Sequence, residues 1–190
     1  MIALVVIVAL GVALIACIAG IYNGLVGLRE NIEAAWAAID VLLKQRDDEL
    51  PKLVEACKRC MQFEQETLEK VLRARTYVSQ ASTSGNVAAV GAAEQQLRAG
   101  VGRLFAAAEN HPQLQADETF KQLRGRIAAL DESIAERREL YNDRVNLNNI
   151  RMKAFPEVII ARRLGFLPGH LLEFSSDEKR GPDVSALFGT

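Results

Sequence analysis

The residues best able to do chemistry in this chain are few: a "CKRC" tetrad from Cys57 to Cys60, two histidines, His111 and His170, and the acidic run "RDDEL" from Arg46 to Leu50. A Cys-x-x-Cys pair works as a redox couple when it opens a helix after a strand, because the helix dipole then lowers the thiol pKa. Here the pattern puts it inside a helix on an apolar stripe, so Cys57 and Cys60 are expected to pack as small buried hydrophobes, with a redox or metal role as the alternative. A di-iron bundle needs Glu-x-x-His pairs on facing helices, and neither histidine has a glutamate three residues before it. His111, beside Pro112 at a helix end, reads as a partner for a helix C-terminus. The carboxylates of "RDDEL" lack the alternating Asp or Asn and the glycine of a calcium loop, and read as a solvated turn with Asp48 as an N-cap. We therefore expect no catalytic residue, no cofactor-binding residue, no metal ligand and a non-enzymatic protein.

Other polar groups stand out by position rather than by motif. Arg46, Glu64 and Arg75 fall on otherwise apolar stripes, where a charge must pair or reach solvent, and register-fixing ion pairs are expected. The single tryptophan, Trp36, and Tyr141 are expected in a helical core, each with a polar tip seeking a partner. The mixed-sign face "DESIAERREL" should be solvated.

The elements that must position these groups are helices. Aromatics are 6% of the 190 residues while alanine, leucine, glutamate and arginine abound, and no segment alternates with period two. With 23 Lys and Arg against 24 Asp and Glu, the net charge of −1 offers no field for a polyanion, so nucleic acid is not an expected partner. Three cysteines are too few for a disulfide framework.

From Ile2 to Ala19 every residue is apolar or glycine, a helix of about 27 Å, close to a hydrocarbon thickness. Ile2, Leu4, Val5, Ile7, Leu10, Leu14, Ile15 and Ile18 are its large lipid-facing residues. A secretory signal or a lipobox ending at Cys17 would need a positively charged region first, and only Met1 precedes Ile2, so residues 1–20 are read as a transmembrane anchor. Cations follow the span at Arg29, Lys44 and Arg46, which places the bulk of the chain in the cytoplasm, with a periplasm-facing protein or a lipoprotein as the alternatives.

Beyond Tyr22, Leu25, Leu28, Ile32, Ala35, Ile39 and Leu42 step by three and four along a first helix. Pro51 is expected to end it in a turn at "RDDELP". A second helix carries Leu53, Cys57, Leu68, Val71 and Val78 to about Gln80, before the loop-like "SQASTSGN". A third runs from about Val87 to Glu109. A fourth carries Phe120, Leu123, Ile127, Leu130, Ile134, Tyr141, Val145, Asn148, Met152 and Phe155 up to Pro156. The expected fold is all-α: an N-terminal transmembrane helix, an antiparallel up-and-down four-helix bundle over 21–156, a short C-terminal helix and juxtamembrane cover over 157–174, and a flexible tail over 175–190 with an apolar hook at Val184, Leu187 and Phe188.

The stretches "YNGLVGLRENIEAAWAAIDVLLKQRDDELPKLVE", "ETLEKVLRAR", "YNDRVNLNNIRMKAFP", "LGFLPGHLLEF" and "GPDVSALF" together resemble the LemA family over nearly the whole chain. Tyr22-Asn23, Ala35-Trp36, Ile39-Asp40, Leu50-Pro51, Phe155-Pro156 and Gly165-Phe166 fall in register with it, and Arg46, Tyr141 and Asn142 belong to the same motif stretches. The resemblance implies a bacterial single-pass protein with an N-terminal anchor and a helical bundle, in a family with magnetosome-associated members, and supplies no biochemical activity. The chain departs from the family pattern at Phe63 (usually histidine), Asn148 (usually tyrosine), and Glu49 and Lys52 (usually an apolar residue and asparagine).

An anchor that continues into the first helix brings the end of the fourth back toward the bilayer. Ile159, Ile160, Leu164, Phe166 and Leu167 could then embed or meet a neighbouring protomer, with Arg162 and Arg163 near anionic headgroups, or the segment could simply cap the bundle. The expected function is a membrane-anchored scaffold in the bacterial inner membrane that self-associates to organise or shape it. Its partners would be the lipid bilayer, further copies of itself and other envelope proteins. The alternative is an adaptor or signalling protein whose bundle binds one partner protein.

Overall fold

A computed structural model describes residues 1–58 and 65–173. Every regular element among them is a helix: α1 (Ile2–Lys58), α2 (Gln65–Thr83), α3 (Val87–Ala108), α4 (Pro112–Ala116), α5 (Glu118–Arg151) and α6 (Glu157–Arg163). The described residues divide into two compact units, one of Met1–Ala38 with Glu139–His170 and one that takes in those from Ile39 to Arg138 together with 171–173.

The second unit is the antiparallel bundle. Ser82 donates to the Asp40 carboxylate and Arg75 pairs with Asp47 at 2.7 Å, so α2 descends as α1 rises. Asp131 pairs with Arg46 at 2.6 Å and Arg126 with Glu49 at 3.5 Å, so α5 also runs against α1. Leu50, Leu53 and Val54 of α1 meet Leu68 and Val71 of α2, Leu97 and Leu104 of α3, Leu114 of α4 and Phe120 and Ile127 of α5 in one buried cluster. The rings of Phe105 and Phe120 meet edge to face at 6.5 Å, and the Arg124 guanidinium lies 5.2 Å above Phe105. Local signals set the ends: the Asn86 side chain accepts from Ala89 N–H at 3.1 Å to start α3, and Asp117 accepts from Phe120 N–H at 3.0 Å to start α5.

Several expectations from sequence are corrected here. The turn at "RDDELP" does not form: α1 continues through Pro51 to Lys58, carrying Leu53 and Cys57 with it. Proline has no N–H to offer the carbonyl four residues back, which is Asp47. That carbonyl instead accepts from Arg75 Nε at 3.1 Å, while the same guanidinium bonds the Asp47 carboxylate at 2.8 Å. With Leu50 and Leu53 fully buried on either side, the packing outweighs the backbone cost. Among the described residues the second helix spans Gln65–Thr83, so all of "SQAST" is helical. The fourth helix ends at Arg151, and Phe155, expected in the core, is 81% exposed. The short α4 carried no signal beyond Pro112 at its first position. Cys60, Phe63, Glu64 and the tail with its hook at Val184, Leu187 and Phe188 lie outside the described residues.

The bridged proline makes a testable prediction. Arg75→Met should cost about 1–3 kcal/mol, the penalty of orphaning a half-buried carbonyl and its acid. In a Pro51→Ala background, where residue 51 regains its N–H, the same change should cost measurably less. Urea midpoints of the four proteins test this, and equal costs in both backgrounds would remove the proposed compensation.

Candidate functional site

In the first unit the apolar segment of α1 is exposed throughout. Ile2, Leu4, Val5, Ile7, Leu10, Leu14 and Ile15 each show more than 60% of their surface, Ile18 shows 44%, and Cys17 is exposed among them. This stretch is long and apolar enough to cross a membrane, and none of its most apolar window is buried in the protein. A core helix would be covered, so that explanation of the apolar run is removed.

Immediately after the span, Tyr22 packs its ring against Phe166 at 6.1 Å, edge to face. The local chain explains how Phe166 arrives there. α6 ends at Arg163, Gly165 takes a left-handed turn at φ 72°, and Phe166 N–H returns to the Ala161 carbonyl at 3.0 Å, closing the helix as a Schellman motif does. The following segment is pinned to α5. The Asn149 side chain donates to the Gly169 carbonyl at 3.0 Å and accepts from its N–H at 2.9 Å, and the Tyr141 hydroxyl donates to the His170 carbonyl at 3.0 Å. Gly169 packs closely on α5, where a Cβ would sit 3.2 Å from Val145 Cγ1 and require that side chain to give by a few tenths of an ångström. Arg151 and Glu157 pair at 3.4 Å across the α5–α6 connection.

Tyr22, Val26, Arg29, Glu30 and Glu33 of α1 and residues 164–166 line an open groove of about 520 Å³. Around it Phe155, Ile159, Leu164 and Leu167 are exposed, Leu167 by 83%, and Ile160 and Phe166 are half-buried. Arg162, Arg163, Asn23 and Pro156 are exposed, while Asn142 is half-buried. Trp36, half-buried, meets Tyr141 with ring centroids 5.6 Å apart. Tyr141 is 3% exposed, and burial raises its phenol above the ordinary value of 10.

The second unit holds the strongest electrostatic feature. Arg46, 2% exposed, forks between Glu94 of α3, fully buried, and Asp131 of α5, 25% exposed. Burial pushes the Glu94 carboxyl above its ordinary range, against the opposing pull of Arg46. Burial would lower Arg46, but the charges and hydrogen bonds of its two carboxylates outweigh it and hold the guanidinium above its ordinary value. Glu94 Oε2 and Arg46 Nε make no hydrogen bond. The triad thus has the features of an internal strut.

Of the sequence-flagged charges, Arg46 and Arg75 pair as expected, with Asp131 and Asp47 among their partners. Glu94 went unflagged although its spacing of four, three and seven from Val90, Leu97 and Val101 puts it on a core stripe. Asp40, exposed, accepts from Ser82. Glu49 and Lys52, both departures from the family pattern, pair with each other at 3.1 Å, and Asn148, buried, donates to the Met152 sulfur at 3.3 Å. Cys57 is buried in the core. His111 begins α4 without a side-chain cap bond rather than serving α3 by its ring, its N–H returning to the Ala108 carbonyl at 3.1 Å. Among the described residues no three His, Cys, Asp or Glu side chains converge as metal ligands would.

The model of the LemA family matches residues 35–185. Two curated relatives, Magnetosome protein MamQ 1 and Magnetosome protein MamQ 2 of Paramagnetospirillum magneticum (strain ATCC 700264 / AMB-1), are each 26% identical over 180 residues. Each alignment covers 82% of this chain and 65% of the relative, so the chain spans about two thirds of the length of these relatives.

Proposed function

The chain belongs to the LemA family, and from that premise we propose that it is a non-enzymatic, membrane-anchored helical scaffold that self-associates to organise or shape a bacterial membrane. The observation that carries the reading is the exposed apolar stretch of α1, which none of the described residues covers and which water would penalise by about 1.5–3 kcal/mol per large side chain. It runs without a break into the rest of α1 in the first unit, so an inserted span would hold that unit at the bilayer directly. Orientation toward the cytoplasm of the inner membrane rests on the cations that follow the span.

Self-association is supported by a stripe on α5. Leu140, Leu147 and Ile150 are 47%, 48% and 65% exposed at heptad-like spacing of seven and three, the pattern by which a helix pairs with its copy. Chemical cross-linking of the full chain in native membranes, then sizing after detergent extraction, tests the reading. Multimers of the chain itself that fall apart in Leu147→Lys/Ile150→Lys are expected. A strict monomer at micromolar concentration, or cross-links only to a different protein, would replace the scaffold with an adaptor.

A further inference from the structure

We propose that residues 164–167, with the adjoining Ile159, Arg162 and Arg163, form a lipid-contacting foot that enters the interface of an anionic leaflet beside the span. The inference rests on the reading of residues 2–20 as a membrane span and adds a second point of contact with the same bilayer.

Three observations carry it. The first is position: Tyr22 stands at the end of the apolar run, the level at which tyrosine favours a bilayer interface, and Phe166 is in ring contact with it. A segment touching Tyr22 therefore shares its depth. The second is what that segment presents. Leu164 and Leu167 are 55% and 83% exposed, on a backbone fixed by the Gly165 turn, the Asn149 amide and the Tyr141 hydroxyl. Because the segment is already ordered, inserting these side chains would cost little further conformational entropy. The third is charge. Arg162 and Arg163 are exposed next to the apolar tip, Glu157, the carboxylate of α6, is engaged with Arg151, and of the two carboxylates in the groove beside residues 164–166, Glu30 and Glu33, the latter is paired with Arg29. Cations flanking exposed leucines match an interface with acyl chains below and phosphates above.

Site-specific tryptophan fluorescence on the full chain in vesicles tests the foot. With Trp36→Phe as background, Leu167→Trp is the reporter, Val12→Trp marks the span and Tyr77→Trp marks an exposed site in the second unit. In vesicles containing phosphatidylglycerol and brominated phosphatidylcholine, residues 12 and 167 should be quenched and blue-shifted, and residue 77 should not. Arg162→Glu/Arg163→Glu should weaken quenching at 167 in these vesicles and leave it unchanged in purely zwitterionic ones. Quenching at 12 with none at 167 overturns the foot while leaving the anchor intact. If residue 167 is then also shielded from aqueous iodide, a protein neighbour covers it instead. Quenching at neither position overturns the anchor and the foot together. Equal quenching with and without the arginines removes the anionic part of the proposal.

Discussion

Replacing Glu94 with alanine is expected to destabilise the bundle by about 3–5 kcal/mol, the cost of leaving a buried charge without its partner. Arg46 would retain Asp131, but that carboxylate is 25% exposed and cannot neutralise a guanidinium that is only 2% exposed as well as fully buried Glu94 does. Arg46→Met/Glu94→Leu should recover most of the loss. It removes both desolvation penalties together with Arg46 Nε and Glu94 Oε2, which make no hydrogen bond, while Asp131 stays solvated. Urea unfolding of the full chain in detergent, followed by helical circular dichroism, measures all three. A cheap Glu94→Ala, or a double variant as damaged as the single one, would contradict the strut.

The same triad sets a sign for pH. Burial holds the folded Glu94 carboxyl above its ordinary value of 4.5, so the folded state binds this proton more tightly than the unfolded chain does. Glu94 therefore contributes stability in full below that ordinary value, and the contribution is lost as pH rises through the raised one. Arg46, held above its already high ordinary value by its two carboxylates, stays charged throughout. Subtracting the stability of Glu94→Gln, which keeps Arg46 and Asp131 in place, from that of the natural chain cancels the carboxylates outside the triad, and the difference should fall as pH increases from about 4.5. A difference that rises with pH would reverse the assignment.

The second large effect concerns the span. Its eleven Ile, Leu and Val residues sum to roughly −5 kcal/mol of insertion free energy on a translocon scale, and one central arginine in place of a valine shifts that by about 3–4. A single Val8→Arg or Val12→Arg should thus remain in the membrane fraction. The double variant shifts the balance by about 6–8 kcal/mol and should appear in the soluble fraction with its helix content otherwise kept. Alkaline carbonate extraction reads the outcome, and a double variant still resisting extraction would mean that attachment does not depend on residues 2–20. Intact mass adds a check, because retention of Met1 fits an anchor and a diacylated Cys17 does not.

Legibility followed the range of the interaction. The α3 boundaries were readable to within a residue because Asn86 and the Pro112 that follows act on their own neighbours. The pairing of Trp36 with Tyr141 was anticipated only as two core aromatics. The Pro51 turn was misread because the local rule is sound but local: it cannot see that Arg75, 28 residues away in sequence, supplies the missing donor. Phe155 was misread for the opposite reason, since its spacing continued a core stripe beyond the point where the helix stops.

By itself the sequence determined what period and composition encode: an all-helical chain, an apolar span at Ile2–Ala19, the faces of its helices and the absence of a recognisable catalytic motif. Each of these follows from backbone hydrogen bonding within a few residues and from the free energy of burying one face. The tertiary structure alone decided which charge meets which, with Arg46 reaching Glu94 and Asp131 across 48 and 85 residues of sequence, and where residues 164–170 lie. Those outcomes depend on the register between helices, a property of packed side chains from distant segments that no single helix carries.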